Sequence, residues 1–181
     1  MTEQKIYLSN ELIGEHIYLR PITYADTDLI IKWRNSDSVR KFFIYREPFT
    51  KEGHENWMKN QIETKKAFQF IVCDNESGRP IGCTYLRDYD KIHNKAEYGV
   101  FIGEEGMRGK GLGKEMLNLT LGFAFNFLGL HKVYARALSD NAASINCFLS
   151  CGFEKEAYLK DEVYLDGKYN DIVLLGKLMQ Q

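Results

Sequence analysis

A chain of 181 residues with 44% hydrophobic and 27% charged side chains has the make-up of one globular domain with a sizeable core. Its formal net charge of −1 excludes a whole-chain attraction to nucleic acid or an anionic membrane. Glu3 and Lys5 interrupt any leader-like apolar start, and the most apolar stretch, residues 117–130, carries Asn118 and Asn126 and is too short to span a bilayer, so a cytoplasmic setting is expected.

The hydrophobic pattern then gives the elements in order. His16 to Pro21 reads as a strand, with Ile17 and Leu19 alternating against Tyr18 and Arg20. Thr23-Tyr24-Ala25-Asp26 is a capping box that opens a helix through Trp33. Residues 36–49 form an aromatic, charged loop, after which Thr50 caps a second helix to about Thr64, with Trp57 and Met58 inward. Phe68, Phe70 and Val72 alternate along a strand that turns at residues 74–78 and returns over Pro80 to Arg87.

Residues 95–102 make the next strand. A long helix follows from Lys114 to Leu128, with Leu112, Met116, Leu119, Phe123 and Phe127 on its inner stripe, and Gly129 ends it. Lys132 to Leu138 is a strand. Asn141 caps a short helix with Ile145, Phe148 and Leu149 inward. Phe153 to Leu165 and Lys168 to Leu178 pair around Asp166-Gly167. The expected fold class is mixed α/β (α+β): one domain over 1–181 with its core at about 16–178, some seven strands and four helices on a mostly antiparallel sheet. The four cysteines, Cys73, Cys83, Cys147 and Cys151, form no C-x-x-C and the histidines are scattered, so free thiols and no metal site are expected.

The chemistry-bearing segment is Arg108-Gly109-Lys110-Gly111-Leu112-Gly113, between a strand and a helix. Alternating glycines let the backbone turn tightly, and the exposed N–H groups at the positive end of a helix favour phosphate. Arg108, Lys110 and Lys114 add charge of the right sign. The P-loop pattern fails because Leu112 stands where its lysine belongs, and the dinucleotide pattern fails because its third glycine would fall at Lys114.

The spacing Arg108-x-x-Gly111-x-Gly113 resembles the acetyl-coenzyme A pyrophosphate loop of the GNAT superfamily of N-acetyltransferases. The element order resembles that fold over residues 16–178. Leu19-Arg20-Pro21, Trp33-Arg34-Asn35, Ala96-Glu97-Tyr98-Gly99, Asn141-x-x-Ser144, Cys151-Gly152-Phe153 and Asp166-Gly167-Lys168-Tyr169-x-Asp171 resemble its ribosomal-protein N-terminal acetyltransferase branch. The resemblance implies acetyl-coenzyme A as co-substrate. It would be held by Val100, Phe101 and Ile102 of the strand, by Arg108, Gly109, Lys110, Gly111, Leu112, Gly113 and Lys114 of the loop, and by Asn141 and Phe148. It implies direct attack by a primary amine in a ternary complex, with a homodimer as one assembly open to it. The family's usual acid, a tyrosine seven residues after the asparagine, is absent; Phe148 stands there.

An alkyl amine titrates near pH ~10, so the attacking nitrogen must be relieved of a proton. Glu97, a carboxylate within an apolar strand, is the catalytic base by resemblance, acting through water, or else an ion-paired strand residue. Backbone N–H groups near Val100 to Ile102 would polarise the thioester where the strand splays, with Gly99 favouring a bulge. Ser144 stands where the resemblance implies a proton donor, and equally serves the helix start. Trp33, Arg34, Asn35 and Tyr45 would line the acceptor side, where aromatics with arginines suit a planar or phosphorylated amine. A nucleotide-linked amino sugar or a protein N-terminus ranks above a polyamine, since the nearby loop is not clearly acidic. A coenzyme A-binding module without catalysis is the alternative from another class.

Overall fold

The computed structural model describes residues 12–179; Glu3 and Lys5, read above against a leader, lie outside them. Seven strands form one sheet in the order β1-β2-β3-β4-β5-β7-β6. They are β1 (Ile17–Pro21), β2 (Phe68–Asp74), β3 (Pro80–Asp90), β4 (Lys95–Ile102), β5 (Lys132–Leu138), β6 (Glu154–Leu165) and β7 (Lys168–Leu178). Every neighbouring pair is antiparallel except β4 and β5. Five α-helices flank the sheet: α1 (Thr27–Asn35), α2 (Asp37–Arg40), α3 (Lys51–Trp57), α4 (Leu112–Gly122) and α5 (Ala142–Ser150). The expected strands and their count hold. Helix α2 is additional, a single turn within the segment expected to be all loop. Wide turns at Met58–Ile62 and Phe123–Phe127 extend α3 and α4.

The alternation of each strand divides the apolar residues between two cores. Leu19, Phe70, Leu86, Tyr98 and Val133 face α4 and α5, which contribute Met116, Leu117, Ile145 and Phe148. Ile71, Cys73, Cys83 and Phe101 face the other side, against Ile30, Trp33, Val39 and Met58. Phe127 and Leu149, expected inward, are about two-fifths exposed. Local chemistry sets the ends of the elements. Thr50 Oγ1 accepts the Gly53 N–H at 3.1 Å, and Asp166 and Gly167 both take positive φ (51° and 81°), the twist a two-residue hairpin needs.

The feature that positions the site is a parting of strands. Between β4 and β5 the pairing runs only from Lys95↔Lys132 to Glu97↔Tyr134, although β4 continues to Ile102 and β5 to Leu138. Beyond Glu97 the strands diverge. The edge of β4 facing β5 is left without a ladder, which is a gap that backbone polar groups tolerate only when something else hydrogen-bonds there.

Candidate active site

A cavity of about 840 Å³ occupies the parting. Its walls include Tyr98, Gly99, Val100, Phe101 and Ile102 of β4, Arg136 and Ala137 of β5, Gly113 of α4, and Asn141, Ser144 and Phe148 around α5. The remaining wall comes from α1, the segment after α2, and α3, with Arg34, Phe43, Tyr45, Phe49, His54 and Trp57. The expected strand residues, Arg108 and Gly113 of the loop, and Asn141, Ser144 and Phe148 are thus brought together at one place, while Lys110, Gly111, Leu112 and Lys114 line a separate recess with His16 and Glu115.

The expected bulge at Gly99 is absent: β3 and β4 keep register from Gly82↔Ile102 to Arg87↔Glu97. Glycine is needed there because the Tyr85 ring lies over it, and a Cβ would stand 2.2 Å from that ring. The divergence of β5, rather than a bulge, opens the strand.

The glycine loop leads into α4 as expected, with Gly109 at φ 75° and Gly111 at φ 79°. No other protein atom lies within 4 Å of where either Cβ would be. The N–H groups of Gly109, Lys110, Gly111, Leu112 and Gly113 donate to no described residue. The N–H groups on either side of them, from Arg108 and Lys114, bond to Glu105 and Gly111 carbonyls. Five amides at the start of an eleven-residue helix, beside Lys110 and Lys114 and with open space over the glycines, fit a diphosphate. The Leu112 side chain is buried in the core, so only its N–H is offered to a ligand. Arg108 departs from expectation. Its Nε and Nη2 donate to the Ile102 carbonyl at 3.1 and 3.0 Å, and Nη2 also to Ser38 Oγ. It pins the end of β4 rather than reaching for phosphate.

Glu97 is 4% exposed and sits where β4 and β5 part. Arg87 Nη2 donates to its Oε1 at 2.7 Å; Arg136 Nε and Nη2 donate to Oε1 and Oε2, each at 3.2 Å. Three of roughly four lone-pair sites on the carboxylate are committed to two cations. Of the two readings open from the sequence, this geometry supports the ion-paired one.

Asn141 caps α5, its Oδ1 accepting the Ser144 N–H at 3.2 Å, and both residues line the cavity. Phe148 packs edge-on against Tyr98, with ring centroids 5.8 Å apart. Tyr98, which sequence reasoning missed, is 3% exposed with no hydrogen-bond partner for its hydroxyl among the described residues, and burial raises its pKa.

On the acceptor side two expectations are corrected. Trp33 is 2% exposed, its Nε1 donates to Glu104 Oε1 at 2.8 Å, and Gly103 lies against its indole, so it belongs to the core and not the cavity wall. Asn35 exchanges two hydrogen bonds with the Phe49 backbone, at 2.9 and 2.7 Å, and fastens the loop. Arg34 and Tyr45 do line the cavity. His54 was not foreseen: it is buried, its Nδ1 lies 3.1 Å from Thr27 Oγ1, Nε2 has no partner among the described residues, and burial lowers its pKa.

All four cysteines are free. Among the described residues no group of three or more His, Cys, Asp or Glu is placed to hold a metal, and no helix is long and apolar enough to cross a membrane.

A parted strand pair over a glycine-rich helix start defines the class of site: a slot for an acyl carrier with a phosphorylated handle. Residues 16–154 match the model of the acetyltransferase (GNAT) domain, and the chain belongs to the GNAT family. By that membership it is an N-acetyltransferase with acetyl-coenzyme A as co-substrate. It is 26% identical over 161 residues to spermidine N(1)-acetyltransferase of Vibrio cholerae, covering 88% of this chain and 91% of that one. An uncharacterized protein of Methanocaldococcus jannaschii is 33% identical over 146 residues, 79% of this chain but only 29% of its own length. The crystal structure of the Vibrio cholerae spermidine N-acetyltransferase with CoA and spermine superposes with a TM-score of 0.85 at 25% identity, covering 91% of this chain and 96% of that one. A dodecameric structure of the same enzyme gives 0.78 at 25% identity, covering 91% and 95%. The superfamily expectation holds. The narrower expectation does not, since these named relatives are spermidine acetyltransferases and not ribosomal-protein N-terminal acetyltransferases.

Proposed function

We propose that this chain acetylates one primary amine per acceptor molecule by direct attack in a ternary complex. The observation that carries this is the parting of β4 from β5 beyond Glu97, which sets the unladdered edge of β4 in one cavity with Gly113 of the glycine loop and an aromatic wall. Acetyl-coenzyme A supplies the acetyl thioester. The amides of Gly109 to Gly113 hold its diphosphate. The free N–H groups of β4 near Val100 to Ile102 are directed to the negative charge that develops on the thioester oxygen. Asn141 and Phe148 flank the carrier arm, and as the C–S bond breaks Ser144 Oγ gives its proton to the departing sulfur and takes in exchange the one that the attacking nitrogen loses.

The acceptor amine is drawn neutral into a chamber lined by Arg34, Arg87, Arg108 and Arg136, with Glu97 as the one lining carboxylate among the described residues. Burial and like charge both disfavour an ammonium there, so the amine sheds its proton on entry. Glu97 acts by holding Arg87 and Arg136. Aromatic walls from Phe43, Tyr45, Phe49 and Trp57 favour a nucleotide-linked amino sugar, with a protein N-terminus next. Spermidine is the reading that the named relatives favour, and this chamber opposes it. Self-association of the chain is part of the same reading, resting on the dodecameric neighbour alone.

Thiol release from acetyl-coenzyme A across amino sugars, peptides and polyamines tests the proposal. Turnover of at least one primary amine is expected; coenzyme binding by calorimetry without turnover of any amine overturns it. Ser144→Ala is expected to lower kcat about threefold to tenfold, a small effect because a thiol with pKa near ~8.5 is easily protonated by water. An unchanged kcat leaves Ser144 with the helix cap.

A further inference from the structure

Tyr85 brings to the parted strands a hydroxyl that the fold itself does not use. It stands on β3 opposite Gly99 of β4, just past Glu97, the last residue of β4 that pairs with β5. The atoms nearest to where a Gly99 Cβ would be are the Tyr85 Cε2, Cζ and Oη. The ring is therefore rooted on β3 and reaches across the sheet, with its tip over β4. Neighbouring strands lie about 4.8 Å apart, a step that a tyrosine bridges this way only where the next strand puts no side chain in its path. Glycine at 99 is that clearance.

The hydroxyl is unspent and reachable. Tyr85 is half-buried, lines the cavity, and makes no hydrogen bond through its oxygen to any described residue. By contrast Tyr98 Oη, His54 Nε2, Arg34 Nε and Nη1 and Arg87 Nε have no partner among the described residues but are sealed from solvent. Burial raises the Tyr85 pKa above its ordinary value, although Arg34 and Arg87 pull it down. The phenol keeps its proton at neutral pH, and its oxygen keeps lone pairs to accept with.

The chamber is otherwise short of acceptors. Arg34, Arg87, Arg108 and Arg136 can only donate, and Glu97 already accepts three bonds from two of them. Gln69 also lines the cavity, but it lies on β2, opposite Tyr85 in register and one strand further from the parting, and its Nε2 bonds Cys83 Sγ at 2.9 Å. A primary amine brings two N–H groups to this place. One proton leaves as the C–N bond forms. The other stays in the amide product and needs a partner from the start, since a nitrogen that turns to find one turns its lone pair as well.

We propose that Tyr85 is a catalytic residue on the acceptor side: its hydroxyl oxygen accepts the N–H that the product keeps, holding the nitrogen over Gly99 with its lone pair toward the thioester carbon. This rests on the acetyltransferase reading above and deepens it. No proton passes through the phenol; the one that the nitrogen loses goes to Ser144 Oγ. Tyr85 acts by orienting the attack.

The test is Tyr85→Phe, which keeps the ring over Gly99 and removes only the oxygen. Glucosamine, glycyl-asparagine and spermidine are assayed by thiol release from acetyl-coenzyme A. For whichever is turned over, kcat/KM for the amine is expected to fall about 10-fold to 100-fold, the effect of leaving one N–H without its partner. Coenzyme A affinity by calorimetry and the thermal midpoint are expected to stay at the wild-type values, because the hydroxyl holds no bond to the described residues. A kcat/KM lowered by less than about threefold overturns the assignment. So does a loss matched by an equal loss of coenzyme affinity, which would put the hydroxyl in the carrier site. If the wild type acetylates no amine, the acetyltransferase reading falls, and calorimetry of the same three amines on the coenzyme-loaded protein decides for Tyr85 alone. Binding that Tyr85→Phe weakens about threefold to tenfold upholds the amine contact. Equal binding to both proteins, or none to either, overturns it.

Discussion

Gly111→Val raises the dissociation constant for coenzyme A by about 100-fold or more, measured by calorimetry, while the protein stays folded. Gly111 caps α4 at φ 79°, and a β-branched side chain there costs on the order of 1–3 kcal/mol in local strain. The backbone relieves that strain by rotating, which turns the neighbouring N–H groups away from a common point. Each hydrogen bond from an amide to a charged phosphate contributes about 1.5–3 kcal/mol, so losing two gives the expected weakening. Stability falls less than affinity, because the Cβ itself meets no protein atom within 4 Å. Gly111→Asn is the control. Asparagine tolerates positive φ, so it is expected to keep affinity within about tenfold. Equal losses from both variants would mean that bulk over the loop, not its conformation, matters. No loss from either would remove the diphosphate from this loop.

The loop was legible in the sequence because its chemistry is local: glycine spacing and a following helix are read within six residues. The strands were legible for the same reason, each alternation being its own signal, as was the Asp166-Gly167 turn. What the sequence hid depends on contacts between distant segments. Trp33-Arg34-Asn35 looks like three equivalent lining residues, yet helix geometry sends them to three fates. Trp33 meets Glu104, 71 positions away; Asn35 meets the Phe49 backbone; only Arg34 reaches the cavity. Arg87 and Arg136 carried no signal of their own, since their pairing with Glu97 exists only once β3, β4 and β5 lie side by side in this register. Phe148 in place of a tyrosine was visible at once, but Tyr98, whose ring packs edge-on against it, was not: one more tyrosine on a strand looks like packing.

Glu97→Gln is expected to lower both stability and turnover, with a ratio to wild type that stays level from pH 7 to 10. The amide keeps the carboxylate's shape but brings two N–H donors toward the donors of Arg87 and Arg136, leaving two guanidiniums facing each other without a counter-charge. Breaking a buried ion pair costs about 3–5 kcal/mol; with the two arginine side chains 38% and 35% exposed, solvent screens part of it and about 2 kcal/mol is expected. For turnover the consequence is positional. Glu97↔Tyr134 is the last paired step before β4 and β5 diverge, and the Arg136 contact ties the far strand across that point. Released, the strands part earlier or close over the slot, and the β4 amides lose their alignment with the thioester. A misaligned donor slows the reaction equally at every pH. A lost base does not: its effect is largest where the amine is still an ammonium and shrinks as pH rises toward ~10 and free amine becomes plentiful. A turnover ratio that climbs toward one with pH would return the proton to Glu97 and make its two arginines a brake on a true base; a level ratio, with the thermal shift, makes the carboxylate the stitch that holds the open strand in place.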